Sequence, residues 1–278
     1  MSDSLRVACV QLTAGSDKAA NLEKAARLVA RATTLGAQLV ALPEKWNLVG
    51  DPEALHAGAE TLEQGESVGA MSAWAKTYGI VLVGGSIAER RDGREKLSNT
   101  SLVFDARGEL VARYRKIHLF DVEVGGHVYR ESEAEEPGDE VVVVEAGGWK
   151  IGLTVCYDLR FPELFRLLAL ADAELVTVPA NFTQRTGMDH WQVLLRARAI
   201  ENALYVVAPG QIGEPTAGRP SYGRSLVVDP WGTVLAQAPD CETVILAELE
   251  RSRIGEIRSR LPALAQRRPD IYRRFEPT

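Results

Sequence analysis

WKIGLTVCYDLRFPELFRLLALADAELVTVPAN, residues 149–181, reads as strand, helix, strand. IGLTV is a short apolar run of the length a buried strand takes, and it ends on Cys156, Tyr157 and Asp158. Pro162 fits the first turn of a helix, where its missing N–H costs nothing, and FPELFRLLALADA continues as that helix. ELVTVPA is a second buried strand closed by Pro179. Two apolar strands joined by one helix predict a βαβ unit and hence an α/β fold with a stacked core.

The N-terminal part repeats the pattern. LRVACVQL (residues 5–12) reads as a strand, and Leu22, Ala25, Ala26, Val29 and Ala32 recur on one side of a helix for which Asn21 is the expected N-cap and Gly36 the stop. QLVALPE (38–44) is a compact strand that Pro43 terminates, leaving Glu44 just past its end. A helix over 67–78 and a strand at Ile80–Val83 follow. LSNTSLVFD and LVARYRK form an expected hairpin, and its VFDARGEL is echoed by VVDPWGTV at 227–234. That echo marks either two similar sheet halves or one Asp/Gly turn used twice. Residues 121–139 read as a long acidic, aperiodic loop of the kind that forms a lid or rim. GMDHWQVLLRARAIENA gives a long helix and LYVVAPG another strand, while residues 251–278 give a basic helix and tail. No Ser/Gly/Pro-rich linker divides the chain, so residues 1–278 are read as one domain.

Composition narrows the function. The chain has 278 residues, 46% apolar and 25% charged, with a net charge of −6 and a pI near 5.4. That balance disfavours a general binder of nucleic acid or anionic membrane, since tracking phosphates takes excess positive charge. Three scattered cysteines make no disulfide framework, and four histidines never stand at the i,i+4 spacing of a zinc helix. No apolar run reaches the roughly 18 residues of a membrane helix, and the N-terminus lacks a basic leader, so the reading is a cytoplasmic protein with reduced thiols. P-loop, G-x-G-x-x-G and G-x-S-x-G signatures are absent.

Chemistry concentrates at strand ends. Cys156 stands at a strand-to-helix turn, where backbone N–H groups can support a thiolate or an oxyanion; Cys9 and Cys241 lie in alternating apolar stretches and read as core. Glu44 and Lys116 end two other strands. Carboxylate, ammonium and thiol form a working set: the carboxylate takes the thiol proton, the sulfur attacks a carbonyl, and the ammonium stabilises the oxygen charge. Arg160 and Glu163 are expected to fix the turn around Cys156 as an ion pair.

ALPEKW around Glu44, YRKIHLFD around Lys116 and VCYDLRFPELFR around Cys156 together resemble the carbon-nitrogen hydrolases of the nitrilase superfamily. HWQVLLRARAIEN (190–202), SYGRSLVVDPWG (221–232) and LPALAQRRPDIY (261–272) extend the likeness over nearly the whole chain. The resemblance implies a four-layer α-β-β-α sandwich and a site with no metal or organic cofactor. In it Glu44 is general base and acid, Lys116 the electrostatic stabiliser, Cys156 the nucleophile and Glu131 the second glutamate beside the lysine. Cys156–Tyr157–Asp158 is similar to amidase branches, and the three longer segments to the Nit subgroup of deaminated-glutathione amidases and omega-amidases. The implied reaction is hydrolysis of an amide in a small carboxylate-bearing substrate by water, deaminated glutathione first and 2-oxo-acid omega-amides next. Tyr157 and Arg185 are the expected substrate contacts. The resemblance further implies a homodimer or larger homo-oligomer. The rival readings are a nitrilase or N-carbamoyl-amine hydrolase, and a catalytically silent scaffold protein.

Overall fold

The computed structural model describes residues 3–272. Its strands are β1 (Ser4–Gln11), β2 (Leu39–Ala41), β3 (Val81–Val83), β4 (Ile87–Glu89), β5 (Ser98–Phe104), β6 (Leu110–Arg115), β7 (Asp121–Val124), β8 (His127–Arg130), β9 (Val143–Ala146), β10 (Trp149–Leu153), β11 (Leu175–Thr177), β12 (Tyr205–Ala208), β13 (Ile212–Thr216), β14 (Arg219–Tyr222), β15 (Leu226–Val228), β16 (Val234–Gln237) and β17 (Thr243–Glu250). One sheet runs β17-β1-β2-β3-β5-β4, with β6 on β5; the other runs β16-β15-β12-β11-β10-β9.

The two sheets share one plan. β1, β2 and β3 are mutually parallel, and β5 and β6 then add antiparallel. β10, β11 and β12 are parallel in the same way, followed by antiparallel β15 and β16. The hairpins closing the halves use the same turn. Asp105 Oδ1 accepts from the N–H groups of Arg107 and Glu109, and Asp229 Oδ1 from those of Trp231 and Thr233. Gly108 and Gly232 take the left-handed position at φ +80° and +87°. The echo in the sequence is therefore both a repeated turn and a repeated half.

Alternation along the strands builds the layers. Val7, Cys9, Leu39, Ala41, Val81 and Val83 join the core with Ile151, Leu153 and Val207 of the second sheet. Their neighbours Ala8, Val10, Val40, Leu42 and Leu82 point the other way, onto Ala25, Val29 and Ala32 of α1 (Lys18–Thr34) and Met71 and Ala75 of α3 (Glu66–Tyr78). On the far side α4 (Pro162–Leu170) and the helix Gln192–Asn202 cover the second sheet. The result is the α-β-β-α sandwich.

Several local readings change. The N-cap of α1 is Asp17, which accepts from Ala20 N–H at 3.0 Å, and Asn21 lies inside the helix. Asn21 is buried and bonds Gly15 N–H, Gly15 C=O and Asn47 C=O, a tertiary role that outweighs its capping preference. Residues 121–130 are an antiparallel ribbon, β7 with β8, turning through Gly125 and Gly126, both at positive φ. The V-E-V alternation before that turn carried the strand signal. α2 (Pro52–Gly58) and β4 were not foreseen. Cys9 is fully buried as expected, whereas Cys241 is exposed, in the turn preceding β17. The basic helix falls at Arg251–Arg260, and the end of the expected tail lies outside the described residues. Among the described residues no helix is long and apolar enough to cross a membrane.

Candidate active site

Strand ends from both sheets meet at one cleft of about 660 Å³, lined among others by Glu44, Lys116, Glu131, Cys156, Tyr157 and Asn181. Glu44 follows β2, Lys116 follows β6, Cys156 follows β10 and Asn181 follows β11. The carboxyl ends of parallel strands are where α/β sheets leave a crevice.

Cys156 is buried and sits at φ +48°, a left-handed conformation that a side chain adopts only when its surroundings enforce it. Its N–H donates to Pro179 C=O at 2.8 Å. Asp158, with no solvent exposure, locks the turn: Oδ2 accepts from Val155 N–H at 2.8 Å and the Tyr114 hydroxyl at 2.7 Å, while Oδ1 accepts from His118 N–H at 3.2 Å and lies 2.7 Å from His118 Nδ1. His118 in turn stacks on Phe161, ring centroids 3.5 Å apart. Asp158 thus holds the turn in place of the expected Arg160–Glu163 pair. Arg160 instead lies with Nη1 3.2 Å from His190 Nδ1 and its guanidinium over the Phe182 and Tyr157 rings.

Glu44 Oε2 accepts from Asn181 N–H at 2.8 Å, and Oε1 from Asn99 Nδ2 at 2.9 Å and Lys116 Nζ at 3.1 Å. Cys156 lines the same cleft as Glu44 and Asn181. Burial pushes its thiol well above the ordinary cysteine range, and the Glu44 charge adds to the rise, against a smaller opposing pull from Lys116. Lys116, almost fully buried, also reaches both Glu131 oxygens, at 3.0 and 2.7 Å. Burial alone disfavours its charge, but Glu131 and Glu44 outweigh that and raise its pKa well above the usual lysine range. Glu131 accepts in addition from Phe120 N–H at 2.7 Å; burial opposes its ionisation, yet Lys116 and Lys45 hold it far below the carboxylate range.

Glu44, Lys116, Glu131 and Cys156 are therefore brought together, and Tyr157 lines the cleft edge-on to Phe120 and Phe161. Arg185 is not. It is exposed on a short helical turn outside the cleft lining, because that segment turns Thr183 and Thr186 inward instead. Sequence reasoning gave no role to Asn99, although SNTS at 98–101 is a wholly buried polar run in a strand, nor to Asp158 and Lys45, each inside a motif already quoted.

The layered fold with a carboxylate, an ammonium and a thiol converging at its strand ends is equipped for nucleophilic attack on an electrophilic carbon. The family model described as carbon-nitrogen hydrolase matches residues 6–259. The chain is 41% identical to the omega-amidase NIT2 of Xenopus tropicalis over 268 residues, 96% of either chain. Nit3 of Saccharomyces cerevisiae, a member of branch 10 of the nitrilase superfamily, superposes with a TM-score of 0.88 at 35% identity, covering 96% of this chain and 98% of that one. A variant of the amidase from Nesterenkonia sp. AN1, with acrylamide added at its active-site cysteine, gives 0.81 at 30% identity over 98% and 99% of the two chains. This chain belongs to the carbon-nitrogen hydrolase family.

Proposed function

We propose that the protein hydrolyses the amide of a small carboxylate-bearing substrate through a thioester on Cys156. The observation that carries this reading is the meeting of Glu44, Lys116 and the strained Cys156 at one buried point. Glu44 takes the thiol proton as sulfur attacks the amide carbon. The carbonyl oxygen gains the negative charge and faces Lys116 and the N–H of Tyr157, the residue after the nucleophile, since the Cys156 N–H is committed to Pro179. The C–N bond then breaks, ammonia leaving with the proton from Glu44. Glu44 next takes a proton from water, which attacks the thioester; the C–S bond breaks and the thiol is restored. Glu131 holds Lys116 in place. Addition of acrylamide to the active-site cysteine of the Nesterenkonia relative supports the sulfur as the reactive atom.

The substrate's carboxylate is assigned to Arg160 rather than Arg185. Arg160 lines the cleft, has no carboxylate partner among the described residues, and is braced by the Phe182 and Tyr157 faces at 5.2 and 5.9 Å. With relatives named omega-amidase, the omega-amides of 2-oxoglutarate and 2-oxosuccinate move ahead of deaminated glutathione. The test is kcat/KM for these three beside a matched nitrile, a neutral amide and an N-carbamoyl amine. A carboxylate-bearing amide is expected to lead, and a lead for the nitrile or carbamoyl compound rejects the substrate class. Arg160→Met is expected to lower kcat/KM for the carboxylate amides by about 10- to 100-fold, the worth of a charge-assisted hydrogen bond, and to spare the neutral amide.

The working form is a homodimer in a cytoplasmic setting. Leu170, Ile200, Trp231 and Leu261 border one groove of about 480 Å³ on the outer helical layer, each between 45% and 57% exposed. Clustered exposure of this kind marks an association face. Light scattering over a dilution series is expected to give twice the chain mass, and Ile200→Glu to return it to one; a single-chain mass throughout for the unmodified protein rejects the dimer.

A further inference from the structure

Lys45 follows Glu44 directly, and the reaction above does not use it. Its backbone is left-handed at φ +48°, with its N–H donating to Ser86 Oγ at 3.1 Å and its carbonyl accepting from Gln211 Nε2 at 3.2 Å. Its side chain, 14% exposed, lies against the same carboxylates: Nζ is 2.6 Å from Glu135 Oε1 and 3.4 Å from Glu131 Oε1. Glu135 has no side-chain exposure, and its backbone N–H donates to the Glu131 carbonyl at 3.0 Å. Glu131 therefore stands between two ammoniums, and the cluster holds Glu44, Glu131 and Glu135 against Lys45 and Lys116. An extra buried ion pair carries a desolvation cost at each ion, and an apolar pair of equal volume serves a core as well or better. What the pair supplies that an apolar pair lacks is charge beside Glu131.

We propose that Lys45 and Glu135 are positioning residues for amide cleavage: the pair fixes the charge and orientation of Glu131, and through it the Lys116 ammonium that faces the reacting carbonyl. This rests on the reading of Glu44, Lys116 and Cys156 given above. The groups facing Glu135 are Lys45, from the turn after β2, and Glu131, from the turn that precedes it; Glu131 in turn faces Lys116 at the end of β6 and Asn99 on β5. Burial pushes the Glu135 carboxyl up, Lys45 draws it down and Glu131 raises it again, to about 7. Protonated, Glu135 is neutral, and the two remaining carboxylates balance the two ammoniums. Ionised, it leaves one uncompensated negative charge near the developing oxyanion, so kcat/KM falls as pH rises through neutrality. One unit charge at such range in a partly screened site amounts to about tenfold in rate.

The test is the pH profile of kcat/KM between about pH 5.5 and about pH 9, for the unmodified enzyme and for Glu135→Gln, Lys45→Met and Lys45→Arg. Glu135→Gln is expected to lose the falling limb and to exceed the unmodified enzyme by about tenfold on its alkaline side. Lys45→Met removes positive charge, so kcat at neutral pH falls by about tenfold with KM little changed, and the limb moves to higher pH. Lys45→Arg keeps the limb near its original position. A pair that only supports the fold would lower activity in both Glu135→Gln and Lys45→Met without moving the limb, and that result overturns the proposal, as does an unmodified enzyme with no limb near neutrality. Cys156→Ala run alongside separates the two levels. Turnover surviving that change rejects the site reading itself, whereas Cys156-dependent turnover with an unmoved limb rejects only the role of Lys45 and Glu135.

Discussion

Cys156→Ala is expected to lower turnover by on the order of 10⁴-fold or more while leaving the fold intact, and Cys9→Ala and Cys241→Ala to retain most activity. The change deletes one sulfur from a turn whose geometry is set elsewhere, by Asp158 and by the backbone bond to Pro179. Cys9 is fully buried, and burial raises its thiol far above the range where thiolate forms, so it is inert packing. Cys241 is exposed and is expected to react with a general alkylating agent. Protection is therefore the discriminating readout: peptide mass analysis is expected to find that substrate slows alkylation at Cys156 and leaves Cys241 unaffected. A stable acyl adduct trapped on Cys9 or Cys241 would overturn the assignment.

The layers were legible in the sequence because strand periodicity is local. Alternate residues of LRVACVQL and QLVAL go to opposite faces, and that pattern reads off the chain directly. Glu44, Lys116 and Cys156 were legible as charged or nucleophilic residues just past apolar strands, where packing gives them no reason to be. What failed depended on distant partners. Asn21 left its cap for bonds to Asn47, and Cys241 fell in a turn because β17 begins two residues later. The acidic stretch offered five glutamates at 123, 131, 133, 135 and 136, and only the three-dimensional path sets Glu131 against Lys116 and Glu135 against Lys45. Arg185 reads in sequence as the substrate contact and Arg160 as the structural partner of Glu163, yet it is Arg160 that lines the cleft.

Cys156 and Asp158 show how function and stability divide at this turn. A left-handed non-glycine residue costs on the order of 1–3 kcal/mol, and the strain persists because the surrounding bonds over-determine it. Asp158 supplies those bonds from full burial, through Val155, Tyr114 and His118. Asp158, two residues beyond Cys156, thus belongs to the scaffold of the site, and the proposed proton acceptor, Glu44, comes from the other sheet.

Glu44→Gln tests that carboxylate with almost no change of shape. Its two oxygens are both acceptors, Oε2 for Asn181 N–H and Oε1 for Asn99 Nδ2 and Lys116 Nζ. A glutamine offers one oxygen and one NH₂, so in either orientation its NH₂ meets a donor: Asn181 N–H one way, the Lys116 ammonium and Asn99 amide the other. The variant also loses the carboxylate that the proposed reaction uses to take the Cys156 proton, while burial still holds that thiol up. Acylation is expected to fall by about 10²- to 10⁴-fold, the span of general acid–base catalysis. Lys116→Ala is the informative comparison, with a loss of about 10²- to 10³-fold from oxyanion stabilisation. It leaves Glu44 and Glu131 buried without their shared cation, so its thermal midpoint is expected to drop more than that of Glu44→Gln. Rapid-mixing measurement of the ammonia burst separates acylation from thioester hydrolysis, and differential scanning calorimetry reports the fold. Near-parental bursts in both folded variants would remove Glu44 and Lys116 from the chemistry and leave Cys156 without its base.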